Sequence, residues 1–194
     1  HGMAMPLLRA NAPLASHGIV LNMSPYDAIS TDDKDQFAAS FADAENNHWF
    51  LQPLLEGKYP RAVLERYPDL APTIEIGDMA LIAAPIDYLG VNYYTRHCVQ
   101  ATPDDALHDY RAAVPAGAEV TAMGWEVYPD GLLRLLTDLN NRYELPPVYI
   151  TENGMASDDD YDEVLVNDPQ RVRYLRLHLQ AVHQAISAGV NVLG

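Results

Sequence analysis

Cysteine is almost missing from this chain, and so is any excess of positive charge. The lone thiol, Cys98, cannot build an internal disulfide framework. It follows His97 in a strand-like run where neighbouring side chains point to opposite faces, so the two are not a metal pair and the thiol is expected to be buried and inert. Against 27 acidic residues stand 12 basic ones, a formal charge of -15. Such a surface repels phosphate backbones and anionic lipid heads, which argues against nucleic acid and membrane as partners and leaves uncharged ligands unaffected. No apolar run approaches the roughly 18 to 20 residues needed to cross a bilayer, and no basic-then-apolar leader opens the chain. With so little cysteine, a cytoplasmic location is the expectation.

Ligating and phosphate-binding patterns are also absent. There is no glycine-rich phosphate loop and no G-x-S-x-G elbow. Among seven histidines, His178 and His183 stand five apart on a helix and do not share the face of an i, i+4 ligand pair. Asp158, Asp160 and Asp162 imitate the start of a calcium loop, yet the sixth position is Glu163 where glycine is needed and the twelfth is Pro169 where a bidentate glutamate is needed. A solvated acidic loop, no metal and no cofactor are therefore expected.

What is present is an alternation of short apolar runs with helical patterns. Gly18 to Met23 reads as a first strand. A helix is expected from Thr31 to about Leu55, capped by Ser30 and carrying Phe37, Phe41, Ala44, His48 and Leu51 on one face until Gly57-Lys58-Tyr59-Pro60 ends it. Ile86 to Tyr94 is the second strand, Thr102 to Thr121 a variable loop, and Asp130 to Tyr143 a helix on Leu132, Leu135, Leu136 and Leu139. Asp168 and Pro169 start a last helix with Val172, Leu175, Leu179, Val182 and Ile186 on one face, and Val190 begins another strand. This order predicts right-handed βα units around a parallel sheet, although period alone does not separate a barrel from an open sheet. No repeat or domain boundary is visible. A start on His1 and an end in an apolar run give the expectation of one segment, residues 1–194, of a larger domain.

The richest stretch runs from Pro146 to Met155. Val148 to Ile150 read as a buried strand of the parallel kind that delivers Glu152 at its carboxyl end, and Gly154 turns the backbone away beyond it. Chemistry sits at the carboxyl ends of strands in parallel α/β folds. The phrase Tyr149-Ile150-Thr151-Glu152-Asn153-Gly154 closely resembles the Y-I-T-E-N-G nucleophile motif of family 1 glycoside hydrolases, the β-glucosidases. Gly90-Val91-Asn92-Tyr93-Tyr94-Thr95 resembles that family's G-x-N-Y-Y-T motif, and Gly124-Trp125 through Pro129 its G-W-x-x-x-P segment. Asn46-Asn47-His48-Trp49-Phe50 and Gly57-Lys58-Tyr59-Pro60 also look familial, with packing roles, so the matches run almost end to end.

The resemblance implies a partial (β/α)8 TIM barrel, strands five to seven with their helices and the start of the eighth. It implies a retaining β-glucosidase acting on a small-molecule or oligosaccharide β-glucoside. Such enzymes need two carboxylates roughly 5 Å apart, one attacking the anomeric carbon and one protonating the leaving oxygen. By resemblance Glu152 is the nucleophile, Tyr94 its hydrogen-bond donor, and Asn92 and Asn22 lie near the sugar, while Trp125 walls the leaving-group side with its indole face. Met23 stands where some relatives have a second asparagine. The family branch specific for 6-phosphoglycosides usually has serine in place of Asn92, which favours an unphosphorylated substrate. The T-x-N-E-P segment carrying the family's acid/base glutamate does not occur in these residues. The bland alternatives are a surface-turn Glu152, a core Tyr94, a turn-forming Asn92, a half-buried Trp125 under a loop, and a non-catalytic sugar-binding half-barrel.

Overall fold

Three of the apolar runs lie side by side in one parallel sheet. The computed structural model describes residues 1–102, 109–159 and 167–194. Its elements are, in chain order, helix α1 (Met5–Asn11), strands β1 (Gly18–Asn22) and β2 (Tyr26–Ala28), and helices α2 (Asp33–Asp43), α3 (Trp49–Glu56), α4 (Arg61–Arg66) and α5 (Asp78–Ile82). Strands β3 (Tyr88–Asn92), β4 (His97–Ala101) and β5 (Tyr110–Ala113), helix α6 (Pro129–Arg142), strand β6 (Val148–Glu152) and helix α7 (Pro169–Ser187) follow. The order within the main sheet is β1-β3-β6, all parallel. Beyond β6 the chain after α7 continues the sheet. Val192 bridges Val148 in parallel, and the amide of Ile150 donates to the carbonyl of Gly194 at 2.8 Å. The strand expected from Val190 is thus begun.

One face of this sheet is packed. Leu89, Val91 and Val148 are buried against Leu132, Leu135, Leu136 and Leu139, the apolar stripe of α6. Pro129 opens that helix, where its missing N–H costs nothing, and Asp130 lies in the first turn. The other face is open, so the expectation of a fully buried β6 fails: Val148 is buried, but Tyr149 and Thr151 on the opposite side are exposed.

Helix α7 begins as expected, with the Asp168 carboxylate accepting from the amide of Arg171 at 3.0 Å and Pro169 just inside. Of the expected stripe Val182 packs against the core, but most of the buried face is a different one. Tyr174, His178, Ala181 and Ala185 face inward, while Val172, Leu175, Leu179 and Ile186 are exposed. Two stripes of α7 are compatible with helical spacing, and the one with small residues is the one that approaches α6 and the sheet closely.

The long early helix is also different in detail. Asp32, not Ser30, is the cap, accepting from the amide of Lys34 at 2.9 Å, while Ser30 bonds Asp35. The helix passes through a wide π-turn at Ala44–His48 before α3, which contains Pro53. A π-turn shifts the phase of the helical face, and Pro53 leaves the carbonyl of Trp49 without its usual donor. Asn47 and His48 are thereby buried, whereas Phe37, expected on the inner face, is exposed.

A second small sheet pairs β2 with β4 in parallel and β4 with β5 antiparallel, and Ala38, Ala39 and Ala42 of α2 pack on its Val99. Tyr110 to Ala113 lie inside the stretch expected to be a loop, and become a strand because the edge of β4 is there to pair with. Residues 103–108 of that stretch lie outside the described residues, as do Asp160, Asp162 and Glu163 of the calcium-loop-like run. Among the described residues no helix is long and apolar enough to cross a membrane, and no group of three or more His, Cys, Asp or Glu side chains could hold a metal. Cys98 is a buried free thiol.

Candidate active site

The carboxyl ends of β1, β3 and β6 bring Asn22, Asn92 and Glu152 into one row, because Asn22 pairs with Asn92 and Asn92 with Glu152 in the sheet register. The register slips between Val91 and Asn92, so that Thr151 is an extra residue in β6. A bulge of this kind re-aims the side chain that follows it. Thr151 Oγ1 donates to Asn92 Oδ1 at 2.7 Å, and Asn92 Nδ2 donates to Asn22 Oδ1 at 2.8 Å. Both ends of the Asn92 amide are therefore fixed. Gly90 makes the bulge possible: a Cβ there would lie 2.7 Å from Cγ2 of Val20 and 3.0 Å from Cγ2 of Thr151.

Tyr94 lies just past β3, and its hydroxyl donates to Glu152 Oε2. That bond, more than burial, raises the Tyr94 pKa above the ordinary phenol value, so the tyrosine stays a neutral donor beside the carboxylate. Glu152 itself is exposed on the open face of the sheet. The Tyr94 ring stands 5.7 Å from the ring of Trp125, tilted by 55°. All five residues singled out in the sequence thus fall in one place.

Trp125 is held less by its own packing than by a clamp on the next residue. Gly124 takes a φ of 75°, which lets the turn close with Thr121 N–H on the Trp125 carbonyl at 2.8 Å. Glu126 receives two bonds from Arg96, at 2.8 and 3.0 Å, and the same guanidinium donates to Asp27 at 3.0 Å and stacks 3.6 Å over the Tyr128 ring. Asp27 also receives Arg134 at 2.7 Å. On the other side, Asn47 donates to the Ser24 carbonyl at 2.7 Å and so fixes the turn after β1.

Arg96, Glu126, Asn47, Asn153 and Tyr174 were not anticipated as parts of the site. Arg96 adjoins the motif that ends at Thr95, Asn153 and Glu126 lie inside recognised motifs, and their polar character was the available signal. Tyr174 is four residues from His178 on α7, a buried pair that lies outside the apolar stripe expected from the spacing.

Comparison with known proteins gives the family of the chain. The profile of "Glycosyl hydrolase family 1" matches residues 1–194. The chain belongs to glycosyl hydrolase family 1. It is 36% identical over 196 residues to the protein named "Beta-glucosidase A" of Thermotoga maritima, covering 100% of this chain and 44% of that protein. Among solved structures, the family 1 β-glucosidase of Thermotoga maritima superposes with a TM-score of 0.91 at 36% identity, covering 99% of this chain and 43% of the other. The virulence factor SghA of Agrobacterium tumefaciens, solved with its substrate analog salicin, superposes with a TM-score of 0.92 at 32% identity, over 99% of this chain and 43% of that one. This family 1 chain therefore spans less than half the length of the curated relatives it matches, and its α/β framework matches part of their barrel.

Proposed function

We propose that this chain carries the nucleophile half of a retaining β-glucosidase that hydrolyses terminal β-D-glucosyl residues. The supporting observation is the Tyr94 hydroxyl on Glu152 Oε2 at the strand ends of a family 1 chain. An attacking carboxylate must be held in one rotamer, and a neutral phenol bound to one oxygen does this while leaving the other oxygen for attack. Glu152 bonds to the anomeric carbon as the glycosidic C–O bond breaks, and the leaving oxygen takes its proton from a carboxylic acid outside these residues. Water then displaces the carboxylate, giving its proton back to that acid. Trp125 offers its indole face to the leaving-group side, and Asn92 and Asn22 reach the sugar hydroxyls.

In this reading β1, β3 and β6 are strands five, six and seven of an eight-stranded barrel, and residues 190–194 begin the eighth. The names of the relatives support glucose as the sugar, and Asn92 supports an unphosphorylated one. In the full-length enzyme, Glu152→Ala should lower turnover of an aryl β-glucoside by roughly 10⁴-fold or more, and azide or formate should restore part of it by filling the vacated place. Normal turnover without Glu152 would overturn the assignment.

A second reading, a non-catalytic sugar-binding half-barrel, is favoured for the 194 residues alone by one observation. Glu126, the carboxylate next to Trp125, is tied to Arg96 and is not free to act as an acid. The isolated chain should not hydrolyse an aryl β-glucoside. Turnover by it that disappears with Glu152→Gln would refute the division of labour.

A further inference from the structure

The buried face of α7 carries a tyrosine and a histidine where a leucine or phenylalanine would fill the same volume. Tyr174 is 1% exposed, and its hydroxyl donates to the carbonyl of Tyr94 at 2.8 Å while accepting from Asn153 Nδ2 at 3.1 Å. Asn153 Nδ2 also donates to the carbonyl of Tyr93 at 2.9 Å. Tyr94 is the donor to Glu152, and Asn153 is the residue after it. One buried hydroxyl therefore ties together the two backbone segments that bear the two partners of the Tyr94–Glu152 bond.

The ring beneath is equally deliberate. His178 stacks on Tyr174 with centroids 3.8 Å apart and planes 25° apart. Its Nδ1 lies 2.8 Å from the Tyr174 carbonyl, which can only accept, so the proton sits on Nδ1 and Nε2 is a bare acceptor. Among the described residues that buried nitrogen has no partner. A polar ring retained in the core with one orphaned atom is not explained by burial, and its visible work is to fix the plane of Tyr174.

We infer that Tyr174 is a positioning residue, seated on His178, that sets the alignment of Tyr94 against Glu152 without touching substrate. This rests on the nucleophile role proposed for Glu152. Packing alone would be served by phenylalanine at both places. The last backbone bond between the two segments runs from the Tyr93 amide to the Glu152 carbonyl at 2.9 Å, and one residue further on, at Tyr94 and Asn153, the Tyr174 hydroxyl makes the next tie.

The test uses the full-length enzyme with Tyr174→Phe, which keeps the ring and removes the hydroxyl. Turnover number should fall roughly 10- to 100-fold, with KM for an aryl β-glucoside changed by less than about twofold. A purely structural hydroxyl would lower Tm and leave kcat where it is, and that result would overturn the proposal. Should Tyr174→Phe fold poorly, Asn153→Ala removes the other arm and should give the same split between kcat and KM. If Glu152→Ala retains turnover, the nucleophile assignment and this inference fall together. If Glu152→Ala is dead and Tyr174→Phe matches the parent, only this inference falls.

Discussion

The two faces of one sheet lead different lives. On the helix side, Leu89 and Val91 are fully buried under the leucines of α6, while on the opposite side of the same sheet Val20 is 43% and Tyr149 38% exposed. The packed face holds the strands in register. The open face collects Asn22, Asn92 and Thr151, bonded to one another, and Glu152, bonded to Tyr94. Alternation along each strand, broken at the Thr151 bulge that brings Glu152 to the same face, thus separates the core residues from those of the candidate site, and mutations on the two faces should fail in different ways.

The largest separation is expected from Glu152→Ala in the full-length enzyme. The loss of turnover should come with an unfolding free energy within about 0.5 kcal/mol of the parent, because an exposed side chain carries little stability. A large drop in denaturant midpoint would break the division between faces. The mirror experiment is Leu132→Ala on α6, which should cost about 2 to 5 kcal/mol in chemical denaturation while activity per folded molecule stays near normal.

Gly90→Ala probes the place where the open face is tightest. Its added methyl would press on Val20 and Thr151. A destabilisation of about 1 to 3 kcal/mol is expected, together with lower activity, because Thr151 orients Asn92. Unchanged activity would mean that the bulge does not matter to the site.

The smallest effect is a pH dependence on the packed face. Burial lowers the pKa of His178, and likewise His97, below the ordinary 6.5. The folded chain therefore refuses protons that the unfolded chain takes up, so stability is full above about pH 6.5 and drains away as pH falls through that value. The Asp43 carboxyl does not contribute in that window: burial opposes its ionisation, but bonds from His48 and Asn47 prevail and hold it below 3.8, so its share is lost only at stronger acid. Tm should drop by a few degrees between pH 7.5 and 5.5, and His178→Phe should flatten the slope. A slope unchanged by that substitution would place the titration elsewhere.

Much of this was legible in the chain itself. The order of strands and helices, the leucine stripe of α6 and the Asp168-Pro169 start of α7 follow from spacing and capping, and the carboxylate with its tyrosine follows from two short motifs. The failures share a cause. For α7 and for Phe37, periodicity states that a stripe exists but not which of two stripes meets the core, and a helix lying close to a neighbour selects the stripe with small residues. β5 depends on a partner strand remote in sequence, and no local pattern announces it. Arg96, Glu126 and Tyr174 act through bonds that only the fold brings together.

The central claim is that the sugar becomes covalently attached to Glu152. Incubating the full-length enzyme with a 2-deoxy-2-fluoro-β-glucoside bearing a good leaving group, then mapping the labelled peptide by mass spectrometry, tests it directly. The account predicts one added fluoroglucosyl group, on Glu152 within Tyr149 to Gly154. Inactivation with the label on any other side chain would contradict it.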